Sequence, residues 1–155
     1  MAYRSTKTFT HELGLSAAFR QWRAESHCRF IHGYALSFKV TFEAQELDVR
    51  NWVVDFGSLK TFKALLENTF DHRLLVAEDD PNLDDFKRLD MWGLAQVRVL
   101  PKVGCEAFAE YAAGALEVWL LDNGYAPRVR VVSVECMEHG ANSAIYVVPT
   151  GIQAL

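Results

Sequence analysis

The chain has 155 residues, half of them hydrophobic and 23% charged, with a formal net charge of −4. That balance suits one globular domain with a substantial core, and its slight acidity argues against a protein built to grip nucleic acid. No apolar run approaches the roughly 20 residues of a bilayer span, so no membrane partner is expected.

The opening MAYRSTKTFTH is not followed by an apolar segment, so no signal peptide is expected. Cys28, Cys105 and Cys136 are odd in number and lack CxxC spacing, which suits free thiols in a reducing cytoplasm. No repeat, low-complexity stretch or linker divides the chain, so a single domain over 1–155 is expected.

In chain order, residues 3–18 are rich in Thr, Phe and small side chains and suit the first strand of a hairpin. Its partner is clearer. Tyr34, Leu36, Phe38, Val40 and Phe42 alternate with Ala35, Ser37, Lys39, Thr41 and Glu43, the period-2 pattern of a half-buried strand. After a polar turn near 46–48, WVVDF leads to Gly57 and Ser58. The period then changes: Leu59, Phe62, Leu65, Leu66 and Phe70 have the spacing of an amphipathic helix.

Residues 79–95 read as an irregular surface excursion, and the acidic cluster at 78–80 as a solvated loop. QVRVLP reads as a short extended stretch. A second helix is expected from about Glu106 to Leu121, stopped by Asp122-Asn123-Gly124 with Pro127 beyond. RVRVVSVEC then reads as a strand, residues 138–142 as a turn and SAIYVV as a last strand. Two strands, two helices and two strands give α+β with a mostly antiparallel sheet.

Several polar residues need an explanation. Cys28 either packs as a small hydrophobe or reacts as a thiolate favoured by Arg29, Arg20 and Arg23. Asp71 and His72 either form a proton-transfer pair or cap the end of the first helix. Glu135 is assigned to the strand face of Val129, Val131 and Ser133, opposite Val132, Val134 and Cys136. Its carboxylate either faces solvent or accepts the paired N–H donors of a guanidine-like edge. His11, His27 and His139 form no HxxxH or HxH pair, and zinc needs about three protein ligands.

The segments LSAAF (15–19), CRFIHGY (28–34), VVDFGSLK (53–60), DHRLL (71–75) and VECMEHGANSAIY (134–146), with Glu106 opening the second helix, resemble the 6-pyruvoyl/6-carboxytetrahydropterin synthase family in its own order. The resemblance implies the tunnelling fold, an antiparallel four-stranded sheet with two helices on one face in the order ββααββ. It also implies a ring-like homo-oligomer, commonly a hexamer, with the pterin pocket between subunits. Cys28 then matches the catalytic cysteine, and Asp71 and His72 its acid/base partners. Glu135 matches the anchor of the pterin's aminopyrimidine edge, and Glu106 a further pocket residue.

The three-residue gap from Cys28 to His32 is similar to the 6-carboxy branch. The implied enzyme is a carbon–oxygen lyase that acts on 7,8-dihydroneopterin triphosphate. It yields a 6-substituted tetrahydropterin with loss of triphosphate and, in the 6-carboxy branch, acetaldehyde, on the route to queuosine.

Two departures bear on mechanism. The family's zinc is held by the histidine of AAH and both histidines of HGH. Here those positions are Phe19, His32 and Tyr34, so only His32 remains and a zinc site is expected weak or absent. Arg20 and Arg23 then become candidates to meet the triphosphate or developing charge. Where the family often has Pro-Thr before the glutamate, this chain has Val103-Gly104-Cys105. Two alternatives follow: a tunnelling-fold protein that binds a pterin or purine without turning it over, and a related pterin enzyme that needs no metal.

Overall fold

The alternation from Tyr34 to Phe42 produces the central strand β3, His32–Ala44. Its face bearing Leu36, Phe38, Val40 and Phe42 is wholly buried, and every other element is placed by it. The computed structural model describes residues 1–151.

Two short strands lie end to end along one edge of β3. Strand β1 (Tyr3–Phe9) pairs antiparallel with its C-terminal half, Tyr3 opposite Ala44 and Phe9 opposite Phe38. Strand β2 (Leu15–Phe19) pairs with the N-terminal half, Leu15 opposite Leu36 and Phe19 opposite His32. Between them the chain makes a one-turn helix, His11–Leu13, that Gly14 ends in the left-handed conformation at φ 74°, where a Cβ would be strained.

Helix α1 (Lys60–Phe70) follows a 3₁₀ turn whose start is capped by Asp55, its carboxylate accepting from the Gly57 N–H at 2.9 Å. It buries Phe62, Leu66 and Phe70. Helix α3 (Cys105–Asp122) lies beside it and buries Phe108, Ala112, Leu116 and Trp119. The Trp119 indole donates to Thr61 Oγ1 at 2.7 Å, tying the two helices together. Phe70 stands edge-on to Phe108 at 5.3 Å and packs on Phe38 at 5.0 Å. Each such ring contributes roughly 1.5–3 kcal/mol by burial.

The other edge of β3 carries β6 (Val129–His139) and then β7 (Asn142–Val147), both antiparallel. Strands β1, β3, β6 and β7 are the expected antiparallel quartet, but they are not the whole sheet. Strand β4 (Arg73–Ala77) pairs parallel with β2, and β5 (Val97–Leu100) pairs parallel with β4. The result is a mixed seven-stranded sheet rather than a four-stranded antiparallel one.

The segment read as irregular contains a third helix, α2 (Leu83–Met91). Its Phe86 packs with Leu74 and Val76 in a second apolar cluster, separate from the one under α1 and α3. The ββααββ order is therefore interrupted by a strand–helix–strand insertion after α1. Among the described residues no helix is long and apolar enough to cross a membrane.

One register shift changes the reading of Glu135. Thr41 pairs with Ser133 but Phe42 pairs with Val131, so β6 carries one extra residue at Val132. A bulge of this kind reverses the alternation. Val129, Val131, Val134 and Cys136 are all buried, so they share the core side. Glu135 lies on the opposite side of the sheet, in register with Lys39 and Ile145, not with Val129 and Val131.

Candidate active site

The loop between β2 and β3 presents Cys28. A 3₁₀ turn, His27–Arg29, is capped by Ser26, whose hydroxyl accepts from the Cys28 N–H at 3.4 Å. Gln21 then clasps this loop to helix α3. Its backbone N–H donates to the Cys28 carbonyl at 2.9 Å and its side-chain amide to the Val103 carbonyl at 2.8 Å. Gly104, at φ 112°, leaves the space that the Gln21 amide fills. Cys28 is left half-buried, with its thiol free. Gln21 was not singled out from the sequence, because nothing about an isolated glutamine marks it as a tie between distant segments.

The two arginines considered for anion binding are already engaged. Arg20 makes a fork to Asp80, 2.9 Å from Nε and 2.6 Å from Nη2, and lies over the Phe86 ring. Asp80 is not a solvated loop residue: it is 5% exposed, and Arg20 holds its carboxyl below the usual carboxylate range. Arg23 reaches Asp79 at 3.3 Å and stacks on Trp22. Both guanidiniums pin the insertion to the Cys28 loop.

Beside that loop stand Phe19, His32 and Tyr34, on the core face of the β2–β3 ladder. Their ring centroids are 5.4, 5.6 and 6.2 Å apart. Phe19 is 2% exposed and meets Phe108 edge-on at 5.1 Å. His139 completes the group, 6.1 Å from Tyr34. Burial first, then the neighbouring Glu138, Cys28 and Cys105, push the Tyr34 phenol up, so it remains protonated at neutral pH. Cys136 is held firmly as a thiol by its neighbour Cys105 and by burial. Glu106, in the first turn of α3, is exposed near Gly104. It borders a groove of about 250 Å³ with Lys102, Glu110 and Tyr146.

Asp71 and His72 form a pair, Nδ1 to Oδ1 at 2.7 Å. Asp71 also accepts from the Ser16 N–H at 3.3 Å, and the His72 N–H donates to the Ser16 carbonyl at 2.7 Å. His72 has φ 53°, the left-handed region that a non-glycine residue enters at a cost of about 1–2 kcal/mol. His72 lines a shallow groove at the edge of β2 with Ser16, Ala17, Ala18 and Gly33. Glu135 stands apart again, its Oε1 accepting from the Ser143 hydroxyl at 2.7 Å.

The chain therefore gathers Cys28, His32, Tyr34 and Glu106 at one end of the core face. It does not bring them to Asp71, His72 or Glu135. A cavity of about 540 Å³ contains none of these residues. It lies along β1 and is walled by Tyr3, Arg4, Leu47, Trp52, Val54 and Phe56. Arg128 fixes its loop by donating to the carbonyls of Glu46 at 3.0 Å and Val53 at 2.8 Å.

A family model described as 6-pyruvoyl tetrahydropterin synthase matches residues 8–148. The chain belongs to that family. A 6-carboxy-5,6,7,8-tetrahydropterin synthase of Aquifex aeolicus is 26% identical over 94% of this chain and 98% of its own. Among solved structures, an uncharacterised protein of Wolinella succinogenes superposes with a TM-score of 0.77 at 24% identity, covering 95% of this chain and 98% of that one. The 6-pyruvoyl tetrahydropterin synthase of Plasmodium vivax gives 0.66 at 13% identity over 94% and 97%. At these identities the structural likenesses speak for the fold.

Membership raises the question of zinc, and the donor set here does not fit it. Phe19 offers no lone pair, the Tyr34 phenol is held protonated, and His32 is the one imidazole between them, with His139 lying beyond Tyr34. Among the described residues no three His, Cys, Asp or Glu side chains converge as a metal site. Three protein ligands are the usual minimum for zinc.

Proposed function

We propose that the chain is a pterin-processing lyase of the 6-carboxytetrahydropterin synthase type, acting on 7,8-dihydroneopterin triphosphate through Cys28, Asp71 and His72. Family membership and the name of the Aquifex relative support the substrate class. The observation that carries the reading is the hydrogen-bonded Asp71–His72 pair on a backbone held in the left-handed region. Local strain kept for one imidazole position is a feature of functional sites.

In this reading Asp71 orients His72, whose Nδ1 carries the proton toward the carboxylate and whose Nε2 is left to take one from the substrate side chain. The Cys28 thiol serves proton transfer at the same carbons. Glu135 accepts the paired N–H groups of the aminopyrimidine edge, with Glu106 bordering the pocket.

These groups have separate partners within one chain, so the reading requires a homo-oligomer, by family resemblance a hexamer. Strands β1 and β7 support that requirement. Both are open edges of the antiparallel quartet among the described residues, and Tyr3, Ile145 and Val147 on them are exposed. Unpaired edges carrying apolar side chains favour head-to-tail closure into a ring.

The test is incubation of the full chain with 7,8-dihydroneopterin triphosphate, with product followed by chromatography. Cys28→Ala and His72→Ala should each lower kcat by a factor on the order of 10²–10⁴. Glu135→Ala should weaken pterin binding roughly tenfold or more. Undiminished turnover in Cys28→Ala would remove the thiol from the mechanism. The lack of a zinc donor set favours one second reading, a non-catalytic pterin- or purine-binding protein. Tight binding without product, unaffected by Cys28→Ala, would establish that reading instead.

A further inference from the structure

The β2–β3 ladder places three side chains where a metal would be held, and their chemistry points elsewhere. Phe19 faces His32 directly across the ladder, and Tyr34 lies two residues further along the same face, opposite Ala17. The two backbones approach so closely at Gly33 that a side chain there would collide with the Ala17 carbonyl. The rungs are therefore fixed, and the three rings sit 5.4–6.2 Å apart.

His32 has a defined tautomer. Its Nδ1 lies 2.7 Å from the Phe30 carbonyl oxygen, which only accepts, so Nδ1 carries the proton and Nε2 the lone pair. A metal-binding histidine has the same arrangement, so the tautomer alone decides nothing. The neighbours decide. Phe19 and Tyr34 supply a ring face and a phenolic O–H where two more lone-pair donors would be needed. No hydrogen-bond partner meets Nε2 among the described residues.

The Tyr34 and His32 rings meet edge-on at 5.6 Å, and the common group that answers both a phenolic donor and an imidazole lone pair is a hydroxyl, which both donates and accepts. We propose that this site is metal-free, and that Tyr34 and His32 together grip a hydroxyl on the ligand's side chain, with Phe19 closing the floor as an apolar face. The ligand itself, a pterin, rests on the function proposed above; the absence of a bound metal does not.

Cobalt(II), whose visible spectrum reports tetrahedral coordination, separates the two. Added to the full chain, it should give no such spectrum and no more than about a tenth of an equivalent retained after dialysis. The combined Phe19→His and Tyr34→His variant should retain about one equivalent, because the ladder already converges three positions. A wild-type chain holding about one equivalent that His32→Ala releases would overturn the proposal. So would a cooperatively folding double variant that binds none.

The second arm compares 6-hydroxymethyl- and 6-methyl-dihydropterin. The hydroxylated compound should bind roughly tenfold tighter, and Tyr34→Phe should erase that preference. A preference that survives Tyr34→Phe refutes the hydroxyl grip. If neither pterin binds, the proposed function falls, and the cobalt result still decides the metal question.

Discussion

If the function proposed above holds, Cys28 and the Asp71–His72 pair, which no contact joins within the described chain, come together only between subunits. Mixing two dead variants tests this. In Cys28→Ala every cysteine position is lost and every histidine position kept; His72→Ala is the reverse. In an oligomer assembled at random from equal amounts, a site finds an intact cysteine on one side with a chance of about one half, and an intact histidine on the other with the same chance. Roughly a quarter of the sites should then be whole.

The assay is coexpression of the two variants under different affinity tags, isolation of oligomers carrying both, and turnover of 7,8-dihydroneopterin triphosphate. Activity near a quarter of wild type per subunit is expected, against residual rates about 10²-fold or more lower for either variant alone. Mixed oligomers no more active than the single variants would refute the shared site.

Glu43 predicts a pH-dependent stability. Its carboxylate is 7% exposed and accepts from Arg4 at 2.7 Å and from Arg130 at 2.5 Å. Arg4, then Arg130, hold its carboxyl below the usual range. Such a group stabilises fully above its unfolded pKa and loses that contribution as pH falls through the lowered folded value. Glu43→Gln should cost about 2 kcal/mol at pH 7, since both guanidiniums are partly exposed. The gap from wild type, measured by urea unfolding, should close as pH drops below about 4.

Arg20→Ala leaves the buried Asp80 carboxylate without its fork and should destabilise by roughly 3 kcal/mol; an unchanged urea midpoint would show the pair to be dispensable. Gly104→Ala sets a Cβ 2.5 Å from the Gln21 amide at φ 112°. It should cost about 1–3 kcal/mol and lower turnover more than Gln21→Ala, which loses only the bond to Val103; equal effects would dismiss the clasp.

The elements legible in the sequence were those with one buried face. Strand β3 alternates because one side meets α1 and α3, and α3 ends at the Asp122-Asn123-Gly124 signal. What escaped was buried on two sides. RLLVA carries Leu75 and Ala77 into the main core and Leu74 and Val76 into the second cluster, so it shows no alternation, as parallel strands do not. Helix α2 hides among acids because it needs only a short apolar stripe, Leu83, Phe86 and Leu89, to cover that second cluster.

At the site, the residue types at 28, 71, 72, 106 and 135 were legible through family resemblance, but their placement was not. Glu135 was assigned to the wrong face because a single bulged residue leaves no mark on composition. Gln21 was missed because its role depends on a segment about eighty residues away.

The left-handed backbone at His72 makes that position a diagnostic for related sequences. Glycine would relax the chain there, and asparagine would fit it well. A lineage released from proton transfer would have every physical incentive to adopt one of them. Under the role proposed for His72, histidine is kept there for its imidazole, although the left-handed region also tolerates it better than most side chains. If that role holds, the residue found there separates chains that keep the proton-transfer group from chains that have given it up.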